Sequence, residues 1–377
     1  MAKSRQAYLP AVVLMVGMLL AYSGVAWAAT LSNTSDPVPQ TNGRVNTITV
    51  SGDTVYIGGS FTEVISKDGV AVARSRLAAI NANTGKLTDW APQVNRPVSA
   101  LAVDGGRVYA GGVFTRAGGK RHNYVARIDA ATGEVDHTFD AGTDLPVRAL
   151  AASGGFLYLG GEFGAVNGEV RSRLARVRVD GITGELDPNW TPAANGAVRT
   201  LELSPDSNRL YAGGEFTTIS GKTRRNLAAL VASTGDLDTS WLRDYPGRPV
   251  YDVEASGTRD YVAGGGVGGE AAAFDASTGA PLWSLKGDGD FQGVAYLDGQ
   301  VYFGGHFRVL DDGTRRTRLL AVAANTGALS EWKPKADRGV WALEANAPNT
   351  RAYAGGDFTK ISGQPREGFA QFSVVLP

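Results

Sequence analysis

Tyr56-Ile57-Gly58-Gly59-Ser60-Phe61-Thr62 decides the fold, because the chain writes this phrase repeatedly. Tyr109-Ala110-Gly111-Gly112-Val113-Phe114-Thr115 and Tyr158-Leu159-Gly160-Gly161-Glu162-Phe163 follow it. Next comes Tyr211-Ala212-Gly213-Gly214-Glu215-Phe216-Thr217, then a worn copy at Tyr261-Val262-Ala263-Gly264. Tyr302-Phe303-Gly304-Gly305-His306-Phe307 and Tyr353-Ala354-Gly355-Gly356-Asp357-Phe358-Thr359 complete the series. Successive tyrosines lie 53, 49, 53, 50, 41 and 51 residues apart in a chain of 377. A period near 50 argues for one repeat architecture, against the two or three domains that length alone would suggest.

A second landmark travels with the first. Thr-Gly pairs stand at 84–85, 132–133, 183–184, 234–235, 278–279 and 326–327, each after a short apolar stretch such as Leu77-Ala78-Ala79-Ile80. An aromatic residue follows each pair: Trp90, Phe139, Trp190, Trp241, Trp283 and Trp332. Each unit therefore reads as four short strands, with apolar and small or polar residues alternating along them. Asp-Gly, Gly-Gly, Ser-Gly and Thr-Gly steps supply the turns. Four-stranded units repeated seven times predict an all-β, seven-bladed β-propeller. The glycine pairs (58–59, 111–112, 160–161, 213–214, 304–305 and 355–356) are structural in this reading, admitting a close neighbour where a Cβ would obstruct it. The fifth unit departs from the pattern and reads as short or lacking a strand.

The last unit stops after Phe369-Ala370-Gln371-Phe372-Ser373-Val374-Val375, with no fourth strand behind it. Residues near 31–40 are expected to supply that strand, closing the ring and leaving no open sheet edge. Ahead of them, Lys3 and Arg5, the apolar run from Leu9 to Ala21, and Ala26-Trp27-Ala28 have the form of a secretory signal. Residues 1–28 thus read as a signal peptide and 29–377 as one propeller domain. An uncleaved anchor is the alternative, and membrane contact is expected only through that segment. The expected location is extracellular or at the cell surface.

The Tyr-x-Gly-Gly phrase with tryptophan about 30 residues later resembles the Kelch propeller repeat. Gly-Gly-x-Phe-Thr, a basic residue, Leu-Ala and Thr-Gly resemble the bacterial delta-60 repeat more closely, across nearly the whole mature chain. The resemblance implies a secreted propeller and no shared reaction.

Composition and motifs exclude several functions. With 37 basic and 37 acidic residues, the chain is no broadly basic nucleic-acid binder. The absence of cysteine removes disulfides, thiolate metal sites and a Cys-Tyr copper site. His122, His137 and His306 read as lying in separate units, with no HExxH spacing, and Gly264–Gly269 lacks the Lys-Ser/Thr of a phosphate loop. Asp288-Gly289-Asp290 reads as a turn, and no cofactor is expected. Asp252, Glu202 and Asp144 sit near first strands and are the candidates for an acid pair.

One pattern rises above this background. Arg44, Arg96, Arg148, Arg199, Arg248 and Arg338 each stand where a unit's first strand begins. A second arginine set (74, 76, 121, 171, 173, 224, 225, 315, 316, 318 and 366) precedes the third strands. Both sets are expected on one face, as an anion-binding rim or paired with Asp68, Glu169, Asp311, Asp312 and Asp337. The sequence thus predicts a non-enzymatic binding or scaffold module for an acidic cell-envelope glycan or a protein partner. The alternative is a carbohydrate-active enzyme with carboxylates at the channel mouth.

Overall fold

The computed structural model describes residues 30–241, 243–245, 247–266, 268–346 and 351–375. The expected signal segment lies outside the described residues. Every regular element among the described residues is a β-strand.

Seven inner strands begin the units: Val45–Ser51, Val98–Asp104, Val147–Ser153, Val198–Leu203, Val250–Ala255, Phe291–Leu297 and Val340–Ala345. Each pairs antiparallel with a second strand that ends at the glycines, as Val98–Asp104 does with Arg107–Gly112. The second strand pairs in turn with the third, as Arg107–Gly112 does with Val125–Asp129. Inner strands touch in chain order, and Val340–Ala345 also touches Val45–Ser51. At the chain ends, Thr30 pairs with Val375 and Leu31 with Val374.

The fourth strand is weaker than the alternation implies. It is regular in the third unit (Glu185–Leu186) and in the fifth (Pro281–Lys286). In four other units it is one bridge: Ile80 to Leu87, Ile128 to Val135, Leu230 to Leu237 and Val322 to Leu329. Just past that bridge the aromatic residue turns inward. Trp90 meets Tyr56 edge-on at 5.0 Å, and its indole N–H donates to the Asp129 carbonyl of the next unit at 2.9 Å. Trp190 repeats the arrangement with Tyr158 and the Ala232 carbonyl. The backbone leaves the ladder so that a large ring can fill the gap between sheets. The fifth unit is complete, with four strands; its shortness comes from the brief link between Gly264 and Glu270.

The glycine pairs answer to two different neighbours. A Cβ on Gly58 would lie 2.7 Å from Val98 of the next unit, and one on Gly111 or Gly160 equally close to Val147 or Val198. Gly355 stands in the same relation to Val45. The second glycine faces its own unit: a Cβ on Gly59 would meet the Arg44 carbonyl, and one on Gly112 the Pro97 carbonyl. Where the fifth unit carries Ala263 in place of the first glycine, the next inner strand opens with Phe291 rather than valine.

Gly160→Ala is therefore expected to destabilise the chain by about 1–3 kcal/mol through overpacking. Val198→Ala added to it should recover part of that loss, because the two sites share one contact. Chemical denaturation of the single and double variants measures this; strictly additive losses would contradict the contact.

Candidate functional site

The inner strands carry a shared irregularity. In every unit the register between first and second strands slips at the second residue, between Val45 and Thr47, Val98 and Ala100, and at each equivalent step. A bulge of this kind turns one side chain out of the pleat. The seven re-aimed residues are Asn46, Ser99, Arg148, Arg199, Tyr251, Gln292 and Trp341, and all of them line one cavity of about 450 Å³. The frame repeats, but these residues do not.

In four units the residue after the glycine pair braces this rim. Arg148 Nε donates to Glu162 Oε1 at 2.9 Å, and Arg199 Nε to Glu215 Oε1 at 2.8 Å. His306 contacts Asp290 at 3.2 Å and meets the Trp341 ring edge-on at 4.9 Å. The Trp341 indole N–H points to Asp357 at 3.4 Å, and the Arg44 guanidinium lies over that indole at 4.5 Å.

Deeper in the cavity stand four carboxyls, Glu202, Asp252, Glu254 and Glu344. Each is half-buried, meeting solvent only within the cavity. Burial pushes Asp252 up to about 7, although the Val294 and Val253 N–H groups and the Thr200 hydroxyl draw it back. Burial, then the Asp252 charge, raises Glu254 to about 8. Glu202 and Glu344 rise well above the carboxylate range through burial first and Glu254 second. Several of these groups also tie one unit to the next. Asp252 accepts the Val294 N–H at 2.9 Å, as Asn46 donates to the Val98 carbonyl at 2.7 Å. Asp144 does not join them: its Oδ1 accepts the N–H groups of Gly164 and Ala165. Asn42, Asn95, Asn195, Asp288 and Asp337 do the same for their own loops.

The first arginine set divides. Arg148 and Arg199 are bulge residues inside the mouth, whereas Arg44, Arg96, Arg248 and Arg338 precede the strands. Arg248 lies 3.8 Å from Glu270. Arg96 and Arg338 are exposed and make no ion pair among the described residues. The ion pairs of this set thus fall on units three to five, and none is made by Arg44, Arg96 or Arg338 among the described residues. Several of the second set bind backbone carbonyls rather than the expected acids, while Arg225 pairs with Asp244 at 3.0 Å. Arg74 reaches the Thr88 carbonyl at 2.7 Å, Arg316 the Ser330 carbonyl at 3.2 Å and Arg318 the Ala336 carbonyl at 2.9 Å. These side chains fasten the loop before the third strand to the strand after it.

His122 and His137 are not in separate units: their rings share a hydrogen bond of 3.0 Å in the second unit. No group of three or more His, Cys, Asp or Glu among the described residues could hold a metal ion.

The family described as outer membrane protein assembly factor BamB matches residues 23–333. No curated protein matches the chain. A crystal structure of the computationally designed Ika8 protein is similar at a TM-score of 0.55 and 14% identity, covering 91% of this chain and 100% of that one. The family match overturns the resemblance to delta-60 and Kelch repeats. The Gly-Gly of the repeated phrase is demanded by the valine and carbonyl contacts described above, so it reports geometry rather than kinship.

The four raised carboxyls have a consequence for stability. The folded state favours their neutral forms, so their contribution is whole below the ordinary carboxyl range and is lost as pH rises through about 7 for Asp252 and about 8 for Glu254. Asp206 and Asp275, held down to about 2 by the Ser204 and Ser277 hydroxyls of their turns, act only below that range. The urea midpoint should therefore fall between about pH 5 and about pH 8.5. Glu202→Gln/Glu254→Gln/Glu344→Gln should flatten that slope, and an unchanged slope in the triple variant would refute the assignment.

Proposed function

The chain belongs to the family of the outer membrane protein assembly factor BamB, and from that premise we propose that it is a β-propeller scaffold of the cell envelope whose channel mouth binds a protein. The observation that carries this reading is the ring of seven bulge residues, which present six residue types within a frame that largely repeats. A surface held rigidly by repetition and varied only at re-aimed positions suits recognition. The family's description concerns assembly of outer-membrane proteins, which supports a protein partner in the envelope over a free small substrate.

The finer reading is a seven-bladed disc of residues 29–377, with 1–28 removed as a signal and the disc exposed at the cell surface. Support for a closed ring comes from the contact of the seventh inner strand with the first, and from the Thr30–Val375 pair. Asp36 adds to the clasp by accepting from Gln371 at 2.8 Å and Ser373 at 2.6 Å, and the Trp332 indole donates to the Ser32 carbonyl at 2.9 Å. The basic sector formed by Arg338, Arg44 and Arg96 is the docking edge for an acidic segment of the partner. An acidic glycan would meet the same three arginines.

A second reading, a carbohydrate-active enzyme, draws on the neutral carboxyls of the channel, since a carboxyl kept protonated near pH 7 can serve as a general acid. Release of reducing ends from envelope glycans, abolished by Glu254→Gln, would favour it.

Two measurements bear on the main reading. Removing residues 29–40 takes away the buried Leu31 and Val38. That burial is worth about 3–6 kcal/mol, or about 4–8 °C in a chain of this size. An unchanged melting temperature would refute the clasp. Replacing Arg44, Arg96 and Arg338 together by Glu should weaken capture of envelope proteins by about tenfold or more at low salt, and the wild-type contact should fade with added salt. Equal capture by the wild type and the triple variant would remove the basic edge from the interface.

A further inference from the structure

At the other end of the inner strands, between the fourth and fifth units, a second cavity of about 340 Å³ opens beside the turn 204–209. Asp260 forms part of its wall and breaks the repeat. The equivalent position carries Val55, Val108, Leu157, Leu210, Val301 and Ala352 in the other units. Asp260 is only 1% exposed. Its Oδ2 accepts the Trp241 indole N–H at 3.0 Å, a proton that Trp90, Trp190 and Trp283 give to a backbone carbonyl. The carbonyl that would serve here, that of Ala276, is taken by Arg209. Asp260 Oδ1 makes no hydrogen bond within 3.5 Å, and the Tyr211 hydroxyl that faces the carboxyl is itself held by Arg209. A buried acceptor left so is unusual and costly, and it calls for a donor.

The charges around it decide which donor. Arg209 and Tyr211 face it from the fourth unit's second strand, with Asp238 beyond the third strand and Asp206 in the turn; Arg259 and Asp275 belong to its own unit. Arg209 is committed, since its Nε donates to Asp238 at 2.7 Å and its Nη1 to the Tyr211 hydroxyl at 3.1 Å. Within the wall, three carboxylates therefore stand against one guanidinium, which repels anions. A metal ion is disfavoured because no three ligands converge among the described residues. A compact organic cation with several N–H donors satisfies both the field and the vacant acceptor.

We propose that this cavity binds a primary ammonium group, which donates to Asp260 Oδ1 and to the neighbouring turn acceptors. The inference stands apart from the scaffold reading and uses none of the channel-mouth residues. Burial pushes the Asp260 carboxyl up to about 6, with Tyr211, Arg209 and Trp241 drawing it back. Binding of a cation therefore strengthens as pH rises through that value.

The test is calorimetric titration of the mature chain with n-butylammonium at about pH 8 and about pH 5, with trimethylbutylammonium as a control of equal charge and no N–H. Saturable binding at the higher pH, about tenfold weaker at the lower, is expected from one carboxyl losing its charge. Asp260→Asn keeps an acceptor for Trp241 and should weaken binding by about tenfold or more. Asp260→Val restores the residue type of the repeat and should abolish binding, while near-ultraviolet circular dichroism reports that both variants remain folded. Nα-acetyl-lysine amide sorts the source: binding as tight as n-butylammonium points to a partner's lysine, and exclusion points to a free amine. No saturable binding, equal binding by Asp260→Asn, or equal binding of the quaternary ion would overturn the proposal.

Discussion

At six of the seven junctions a valine at the start of an inner strand rests on the first glycine of the unit before it, and the arrangement of the sheets depends on that contact. Val98 on Gly58, Val147 on Gly111, Val198 on Gly160 and Val45 on Gly355 leave no room for a Cβ. The distance between sheets is thereby set by backbone against a branched side chain, which has little freedom to adapt. The second glycine fixes the other dimension, bringing the second strand against the carbonyl of the link that begins its unit. The gap left at the outer edge is then filled from within the same repeat. A tryptophan or phenylalanine enters it, backed by the repeat's tyrosine and met by the Thr-Gly glycine of the following unit. Gly184 against Phe139 and Gly327 against Trp283 are examples, both glycines having a φ above +70°.

These contacts explain why so much of the fold was legible. Gly58-Gly59, Thr84-Gly85 and Trp90 each answer to a steric demand that admits few residue types, so the demand shows as a recurring letter. The fifth unit was harder to read because the demand was met differently, with Ala263 and Phe291 in place of glycine and valine. The fourth strands were overestimated for a related reason. Apolar alternation continues past the Thr-Gly turn, but it serves the inward swing of the aromatic residue rather than a ladder.

The site was much less legible. A bulge is a backbone event whose product is a residue of any type, so Asn46, Tyr251, Gln292 and Trp341 carry no common signature. Only their position after the first residue of each inner strand could have marked them. The arginines were visible, but their roles were not. Arg148 and Arg199 lie three positions along the repeat from Arg96 and Arg338, which is enough to place one pair inside the mouth and the other on the surface. Arg74 and Arg316 bind carbonyls, partners that no reading of charged residues would supply. Asp144 read as an acid near the channel, yet it holds a loop in the way Asn95 does, and asparagine at that place in other units was the available clue.

The mouth varies at two linked positions, the bulge and the residue after the glycine pair. Arg148 goes with Glu162, Arg199 with Glu215, and Trp341 with Asp357, each pair within one unit. The bulge residue gains a fixed orientation from its companion, because an ion pair or an indole hydrogen bond limits the rotamers available at the mouth. Below the rim, Asp252 Oδ2 accepts the next unit's Val294 N–H while Oδ1 accepts from Val253 and from Thr200 of the unit before, so channel polarity also serves cohesion between sheets. The repeat thus separates its duties by position. Valine, glycine and the aromatic residue maintain the frame, and the bulge pair sets what the mouth can recognise. A change of partner would require exchanging that pair in a few units while every framing contact stayed in place.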